Sequence, residues 1–204
     1  MTADWIAENI VEIFGAATGI AYVILEIRRN IFLWPLGIIT SAVYIYVFGR
    51  EGFYANMGLQ VYYLVISIYG WYRWSRQTEA ALAGEKSDVR RINRVTAMWC
   101  AIAAAVIWGG LWFILDRATD SPVPMWDGLI ASLSVVATWM LTRKYLEQWY
   151  VWIFANAVAV AVYLAAGLYP TAVLFMVYFI MAILGAMKWA RDQAATLPVG
   201  HKDL

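Results

Sequence analysis

The sequence predicts an all-α membrane protein of seven transmembrane helices, and three observations carry that prediction. The 204 residues are 63% hydrophobic and only 14% charged, with a mean hydropathy of +0.64. Soluble domains run at about 45–50% apolar and about 25% charged. The charges cluster at breaks between uncharged stretches such as residues 52–72, 95–115 and 128–142, each near the length of one bilayer crossing, about 20 residues. Lysine and arginine are then sorted by side: 13 of the 15 fall on one face of a seven-helix topology, leaving Arg50 and Arg117 on the other. The positive-inside rule places the N-terminus outside and the C-terminus in the cytoplasm.

The helices follow from the charge breaks in order. The first, near 10–27, ends at Arg28-Arg29, with Glu12 and Glu26 near its ends, where snorkelling or interfacial water can serve them. The second, 31–49, closes at Arg50-Glu51, and the third, 53–72, at Arg73. A basic connector, 73–94, is the longest cytoplasmic loop and reads as a solvated segment that sets topology. The fourth helix, 94–115, closes at Asp116-Arg117, and the fifth, 124–142, at Arg143-Lys144, with Asp127 near its start. The uncharged run 148–187 is too long for one crossing, and Gly167-Leu168-Tyr169-Pro170 breaks it. That gives helices 148–167 and 170–188, with a cytoplasmic tail, 190–204.

An internal repeat organises these helices. Shifting the chain by 115 residues aligns Trp34–Trp74 on Trp149–Trp189 without a gap, with 12 of 41 positions identical. The identities include Trp34/Trp149, Gly52/Gly167, Tyr54/Tyr169, Tyr63/Tyr178, Gly70/Gly185 and Trp74/Trp189, and Arg28-Arg29 falls on Arg143-Lys144. The expected architecture is 3+1+3: residues 10–74 and 124–189 form parallel three-helix repeats joined by helix 94–115. Parallel repeats around a midplane site are a transporter design.

Several function classes are excluded. A net charge of +1 offers no basic surface for nucleic acid, and a single cysteine, Cys100, forms no disulfide framework. The one histidine, His201, lies in the tail, so no metal site or cofactor is expected. No phosphate-binding loop, hydrolase pair or zinc motif lies in the spans, so the chain does not read as an enzyme. An opsin needs a lysine midway along its last helix, whereas Lys188 is at the end. No Asp, Glu, Lys, Arg or His lies mid-span, which favours passage down a gradient without a coupled ion.

The helices instead carry neutral polar and aromatic groups at helical spacing, so each set shares a face. The third helix has Asn56, Gln60, Tyr63, Ser67, Gly70 and Trp74; the sixth has Trp149, Trp152, Asn156 and Tyr163. The fifth offers Asp127, Ser134 and Thr138, and the second Trp34, Ser41 and Tyr44. Buried amides need partners, so these faces are expected to point into the bundle, either as interhelical hydrogen bonds or as a cavity for a flat polar solute. Trp5, Trp71, Trp74, Trp126 and Trp189, at helix ends, read as interfacial anchors, whereas Trp108 and Trp152 lie deeper.

The segment Thr142-Arg143-Lys144-Tyr145-Leu146-Glu147-Gln148-Trp149, continuing to Trp152 and Asn156, carries a W-x-x-W-x-x-x-N pattern. With Tyr69-Gly70-Trp71-Tyr72-Arg73-Trp74, Leu59-Gln60 and Trp126-Asp127, it resembles the Pnu family of bacterial vitamin transporters over about residues 10–190, and most of all its nicotinamide riboside branch. The family's 3+1+3 fold, related to the SWEET sugar transporters, agrees with the repeat. The resemblance implies import of nicotinamide riboside across the inner membrane by facilitated diffusion, with trapping by a cytoplasmic kinase, and a homotrimer embedded in membrane lipid. It assigns Trp149, Trp152 and Asn156 to the site with Gln60 opposite, Trp152 stacking on the pyridinium and the amides bonding carboxamide or ribose. A thiamine-carrying branch shares the third-helix and last-helix features, and thiamine is the alternative substrate.

Overall fold

The computed structural model describes residues 10–51, 54–82, 89–119 and 123–196. Among these, seven helices account for nearly every residue: α1 Ile10–Ile27, α2 Leu33–Glu51, α3 Tyr54–Leu82, α4 Arg94–Ala118, α5 Pro124–Thr142, α6 Gln148–Ala165 and α7 Tyr169–Thr196. The one extended pairing is an isolated parallel bridge between Arg90 and Tyr145. By length and apolar composition, α2, α4, α5, α6 and α7 qualify as membrane spans, and α1 has a shorter apolar stretch, Ile13–Ile27. The polar residues of α3 (Asn56, Gln60, Ser67, Arg73 and Arg76) dilute its hydropathy. The chain is thus an all-helical, multi-pass membrane protein.

Two helices outrun their expected ends. α3 continues ten residues past Tyr72, and α7 continues to Thr196, because Arg, Gln, Glu and Ala beyond the apolar run are good helix formers in water. Residues 190–196 of the expected tail are therefore helical and Lys188 is not terminal; residues 197–204, with His201 and Lys202, lie outside the described residues, as do Trp5, Gly52 and Lys86.

Helix boundaries recur at the 115-residue offset. α1 ends at Ile27 and α5 at Thr142; α2 begins at Leu33 and α6 at Gln148; α3 begins at Tyr54 and α7 at Tyr169. The turns recur in conformation too. Arg29 and Lys144 both sit in the left-handed region, at φ 53° and 55°. Each closes a helix in the same way: Arg29 and Asn30 donate to the carbonyls of Glu26 and Leu25, and Lys144 and Tyr145 to those of Leu141 and Met140. This is the Schellman pattern, usually built on glycine. Glycine supplies it where α6 ends, at Gly167 (φ 74°), with Gly167 and Leu168 donating to Leu164 and Tyr163.

The chain forms two compact units, Met1–Tyr72 and Arg73–Leu204, divided within α3. In the first, α1 packs on α2, and Gly37 of α2 admits both α1 and α3 closely. A β-carbon there would stand 2.8 Å from Oγ of Ser67 and 3.2 Å from Cε2 of Tyr22. In the second, α4, α5, α6 and α7 pack in sequence, with α5 the most enclosed. Gly128 brings α5 within 3.1 Å, measured from a β-carbon position, of the Trp112 backbone nitrogen on α4. No residue of the α4 span is buried, as suits a helix apolar on all sides in lipid.

The Arg-rich end of the second unit is tied together by short-range bonds. Arg90 and Lys144–Leu146 exchange backbone hydrogen bonds of 2.9 Å, and the Ile92 amide donates to Oε2 of Glu147 at 3.0 Å. Arg91 donates to Gln193 of α7, and Gln193 donates to the Val89 carbonyl. Residues 89–93 are therefore built into the α5–α6 turn and the end of α7, instead of forming the far end of a solvated loop.

Candidate functional site

Tryptophan and glycine organise both units. In the first, a β-carbon on Gly70 would stand 2.5 Å from the ring of Trp34; in the second, one on Gly185 would stand 2.5 Å from that of Trp149. Trp34 and Trp149 are fully enclosed, and Trp149 meets Trp189 edge-on at 5.5 Å. These rings are committed to packing α2 on α3 and α6 on α7. Trp74 and Trp189, expected as interfacial anchors, are instead 2% and 0% exposed. Lys144 stands over the Trp74 ring, and Trp149, admitted by the missing side chain at Gly185, meets Trp189. Trp71 and Trp126 are exposed, as anchors should be.

In the first unit, Ser41 and Ser67 are buried and Gln60 and Tyr63 half-buried, while Asn56 is exposed in the first turn of α3. Asn56, expected to face inward, is thus not enclosed within the first unit. Tyr44 stacks on Phe48 at 5.4 Å, lies 6.4 Å from Phe14, and has Gly15 of α1 against its hydroxyl. Glu26, expected near interfacial water, is buried in the last turn of α1.

The second unit sorts its polar groups into satisfied and unsatisfied. Thr138 is buried, its hydroxyl donating to the Ser134 carbonyl at 2.8 Å, and Ser134 donates likewise to Ile130. Tyr163 donates to Asp127 Oδ1 at 3.2 Å, so Asp127 is partnered within the fold. Deep-lying Trp108 donates its indole N–H to the Met125 carbonyl at 2.9 Å. By contrast, Nε1 of Trp152, Nε1 of Trp149 and both Oε1 and Nε2 of Gln148 are buried without a hydrogen-bond partner among the described residues. Each such group costs about 1–3 kcal/mol if left dry and unpaired. Asn156, on the same α6 stripe, is 5% exposed.

The offset shows how α6 makes room for this stripe. Gln148, Trp152 and Asn156 stand where α2 has Leu33, Gly37 and Ser41. The residues crowding Gly37, Tyr22 and Ser67, correspond to Ala137 and Ala182, both buried. A tyrosine and a serine have become alanines where a glycine has become tryptophan. Gln148 was not singled out by its spacing; the signal that marks it is the exchange of a buried Leu33 for an equally buried amide.

Gln148, Trp152 and Asn156 carry no charge, and no cluster of metal-ligating residues occurs among the described residues. The stripe offers an indole face, indole and amide N–H donors and amide acceptors, which suits a flat, polar, heteroaromatic solute. A separate groove of about 610 Å³, lined by Trp126, Val158, Val162 and Leu168 among others, is apolar. Val158 and Val162 lie on the opposite side of α6 from Asn156.

Known proteins bear on this arrangement. The chain is 27% identical over 201 residues to the nicotinamide riboside transporter PnuC of Escherichia coli (strain K12), covering 88% of this chain and 84% of that protein. It is 26% identical over 197 residues to the riboflavin/roseoflavin transporter RibM of Streptomyces davaonensis, covering 92% and 88% respectively. Its fold matches a crystal structure of the vitamin B3 transporter PnuC with a TM-score of 0.69 at 19% identity, over 93% of this chain and 84% of that one. With the model of the nicotinamide mononucleotide transporter family matching residues 9–191, the chain belongs to that family of transporters and is not an enzyme.

Proposed function

We propose that the chain is a uniporter that imports nicotinamide riboside across the bacterial inner membrane by facilitated diffusion. A cytoplasmic kinase then traps the riboside as its phosphate, which feeds NAD synthesis. The observation that carries this reading is the α6 stripe: Trp152 and Gln148 present buried, unpartnered polar atoms beside Asn156 on a face without charge. A pyridinium nucleoside supplies a cationic ring for an indole face, worth about 0.5–2 kcal/mol, and hydroxyl and carboxamide groups for the amides. Within the second unit, Trp152 stacks on the ring and Asn156 takes hydrogen bonds, with Thr138 as a further neutral polar group; in the first unit, Gln60, Ser41, Ser67 and Tyr63 are candidate neutral contacts of the same kind. Each within its own unit, Trp149, Trp34 and Tyr44 hold these groups in place through their packing.

The architecture in this proposal is seven crossings in a 3+1+3 parallel repeat, N-terminus outside, assembled as a homotrimer. It is supported by the shared boundaries, turns and Trp–Gly contacts at the 115-residue offset and by the 13-to-2 bias of basic residues; the trimer rests on the family resemblance alone.

A second reading, riboflavin, is favoured by the RibM relative, whose identity to this chain is 26% against 27% for the E. coli riboside transporter. Thiamine, also a heteroaromatic cation, suits the same chemistry. Calorimetric titration of the purified protein with all three decides. Saturable binding of the riboside alone is expected; binding of only riboflavin or thiamine reassigns the cargo, and binding of none overturns the proposal.

A further inference from the structure

We infer that Gln148 is a further substrate-contacting residue, one that selects solutes carrying a neutral group able both to donate and to accept a hydrogen bond. The inference rests on the transport reading above and names a specificity determinant within it. Gln148 is 0% exposed, and neither Oε1 nor Nε2 has a partner among the described residues. Native folds leave few buried polar atoms in that state. The local structure does not need the amide. At the start of α2, the equivalent Leu33 is equally buried and begins its helix at the corresponding position. No side chain caps the start of α6 either.

Its placement points to the solute. Gln148 precedes Trp152 by one turn and Asn156 by two, about 6 and 12 Å along the helix axis, on one stripe. A nucleoside spanning that distance meets an amide at each end and an indole between. The free Oε1 requires a donor and the free Nε2 an acceptor. A hydroxyl or a carboxamide meets both. An ionised carboxylate or phosphate only accepts, and would leave Oε1 buried without a donor, the situation by which polar sites reject the wrong ligand.

The test is titration of the full-length wild type, Gln148→Leu and Gln148→Asn with nicotinamide riboside and with its 5′-phosphate, beside ligand-free melting curves. Gln148→Leu should weaken riboside binding at least tenfold without lowering the ligand-free melting temperature, because it removes an unpaired amide. Gln148→Asn should fall between. The wild type should bind the riboside at least tenfold more tightly than the phosphate, and Gln148→Leu should narrow that ratio. Riboside affinity of Gln148→Leu within twofold of wild type overturns the assignment. If Gln148→Leu does not fold, Gln148→Asn decides: unchanged affinity there makes Gln148 structural. A wild type that binds no riboside fails the transport reading itself, and shows this before any variant is compared.

Discussion

Trp149 occupies the space that a side chain on Gly185 would need: a β-carbon there would stand 2.5 Å from Cη2 of the indole. The same relationship joins Trp34 to Gly70 in the first unit, and the glycine in each case is buried within a helix. Helix propensity favours alanine over glycine by about 1 kcal/mol, whereas overpacking a filled site costs about 1–3 kcal/mol. Because the neighbour is a fully enclosed ring with no flexible end, packing decides. Gly185→Ala and Gly70→Ala should each lower the melting temperature in detergent. Combining Gly185→Ala with Trp149→Leu should cost less than the sum of the two single changes. Strict additivity would show that the two residues do not share the space.

Trp152 and Trp108 both lie deep in their helices, and their indole nitrogens separate them. Trp108 donates to the Met125 carbonyl, while Trp152 has no partner among the described residues. Trp108→Phe should cost stability by about one net hydrogen bond, 0.5–1.5 kcal/mol, and leave riboside affinity unchanged. Trp152→Ala should weaken binding roughly 2- to 30-fold, the range of a cation–π contact. Asn156→Ala and Gln60→Ala should also weaken it while folding and oligomeric state persist. Calorimetry and melting curves on the same preparations check both quantities, and the reverse pattern would exchange the roles of the two tryptophans.

Lys144 holds two features in opposition. Its left-handed backbone favours glycine, yet its ammonium stands 4.7 Å from the centre of the Trp74 ring. Lys144→Ala loses the cation–π contact and keeps the strained conformation. Lys144→Gly loses the same contact but relieves about 1 kcal/mol of strain. The glycine variant should therefore melt above the alanine variant, and an inverted order would show that the turn is not strained.

The sequence made the helical architecture legible because charges punctuate it. Observed helix starts at Ile10, Leu33, Tyr54, Arg94, Pro124, Gln148 and Tyr169 fall within two residues of the expected ones. The ends of α3 and α7 were not legible, since apolarity marks the membrane and not the helix, and Arg73–Leu82 continues the backbone geometry in water. Trp74 and Trp189 looked like interfacial anchors because position along a helix says nothing about what covers the ring, here Lys144 over Trp74 and Trp149 against Trp189. The Trp152–Asn156 stripe was legible from spacing and resemblance. Gln148 was hidden beside it, because an amide next to a conspicuous Trp pair stands out only once burial shows it unpaired.

The Glu147 carboxylate accepts from the Ile92 amide at 3.0 Å and so fastens the start of the fourth helix to the α5–α6 turn. Asn93 caps the same helix through the Thr96 amide at 2.7 Å. Glu147→Ala should leave the Ile92 N–H without its acceptor and speed hydrogen exchange at residues 89–93, with little change elsewhere. Protection equal to wild type would mean that the Arg90–Tyr145 bridge and the Gln193 contacts hold the segment without Glu147.

Energetics of transport supply the last prediction. A uniported pyridinium nucleoside carries its charge down the membrane potential, gaining about 2.3 kcal/mol per 100 mV, roughly fiftyfold accumulation at that potential. Proteoliposomes with an inside-negative potassium diffusion potential should therefore concentrate nicotinamide riboside without a proton or sodium gradient. Collapsing the potential should return the internal level to the external one. Glu26 is the residue to watch, because it is a buried carboxylate near the end of α1. Glu26→Gln should leave potential-driven accumulation intact. Uptake that instead requires a proton gradient, and that Glu26→Gln abolishes, would replace uniport with proton coupling through that carboxylate.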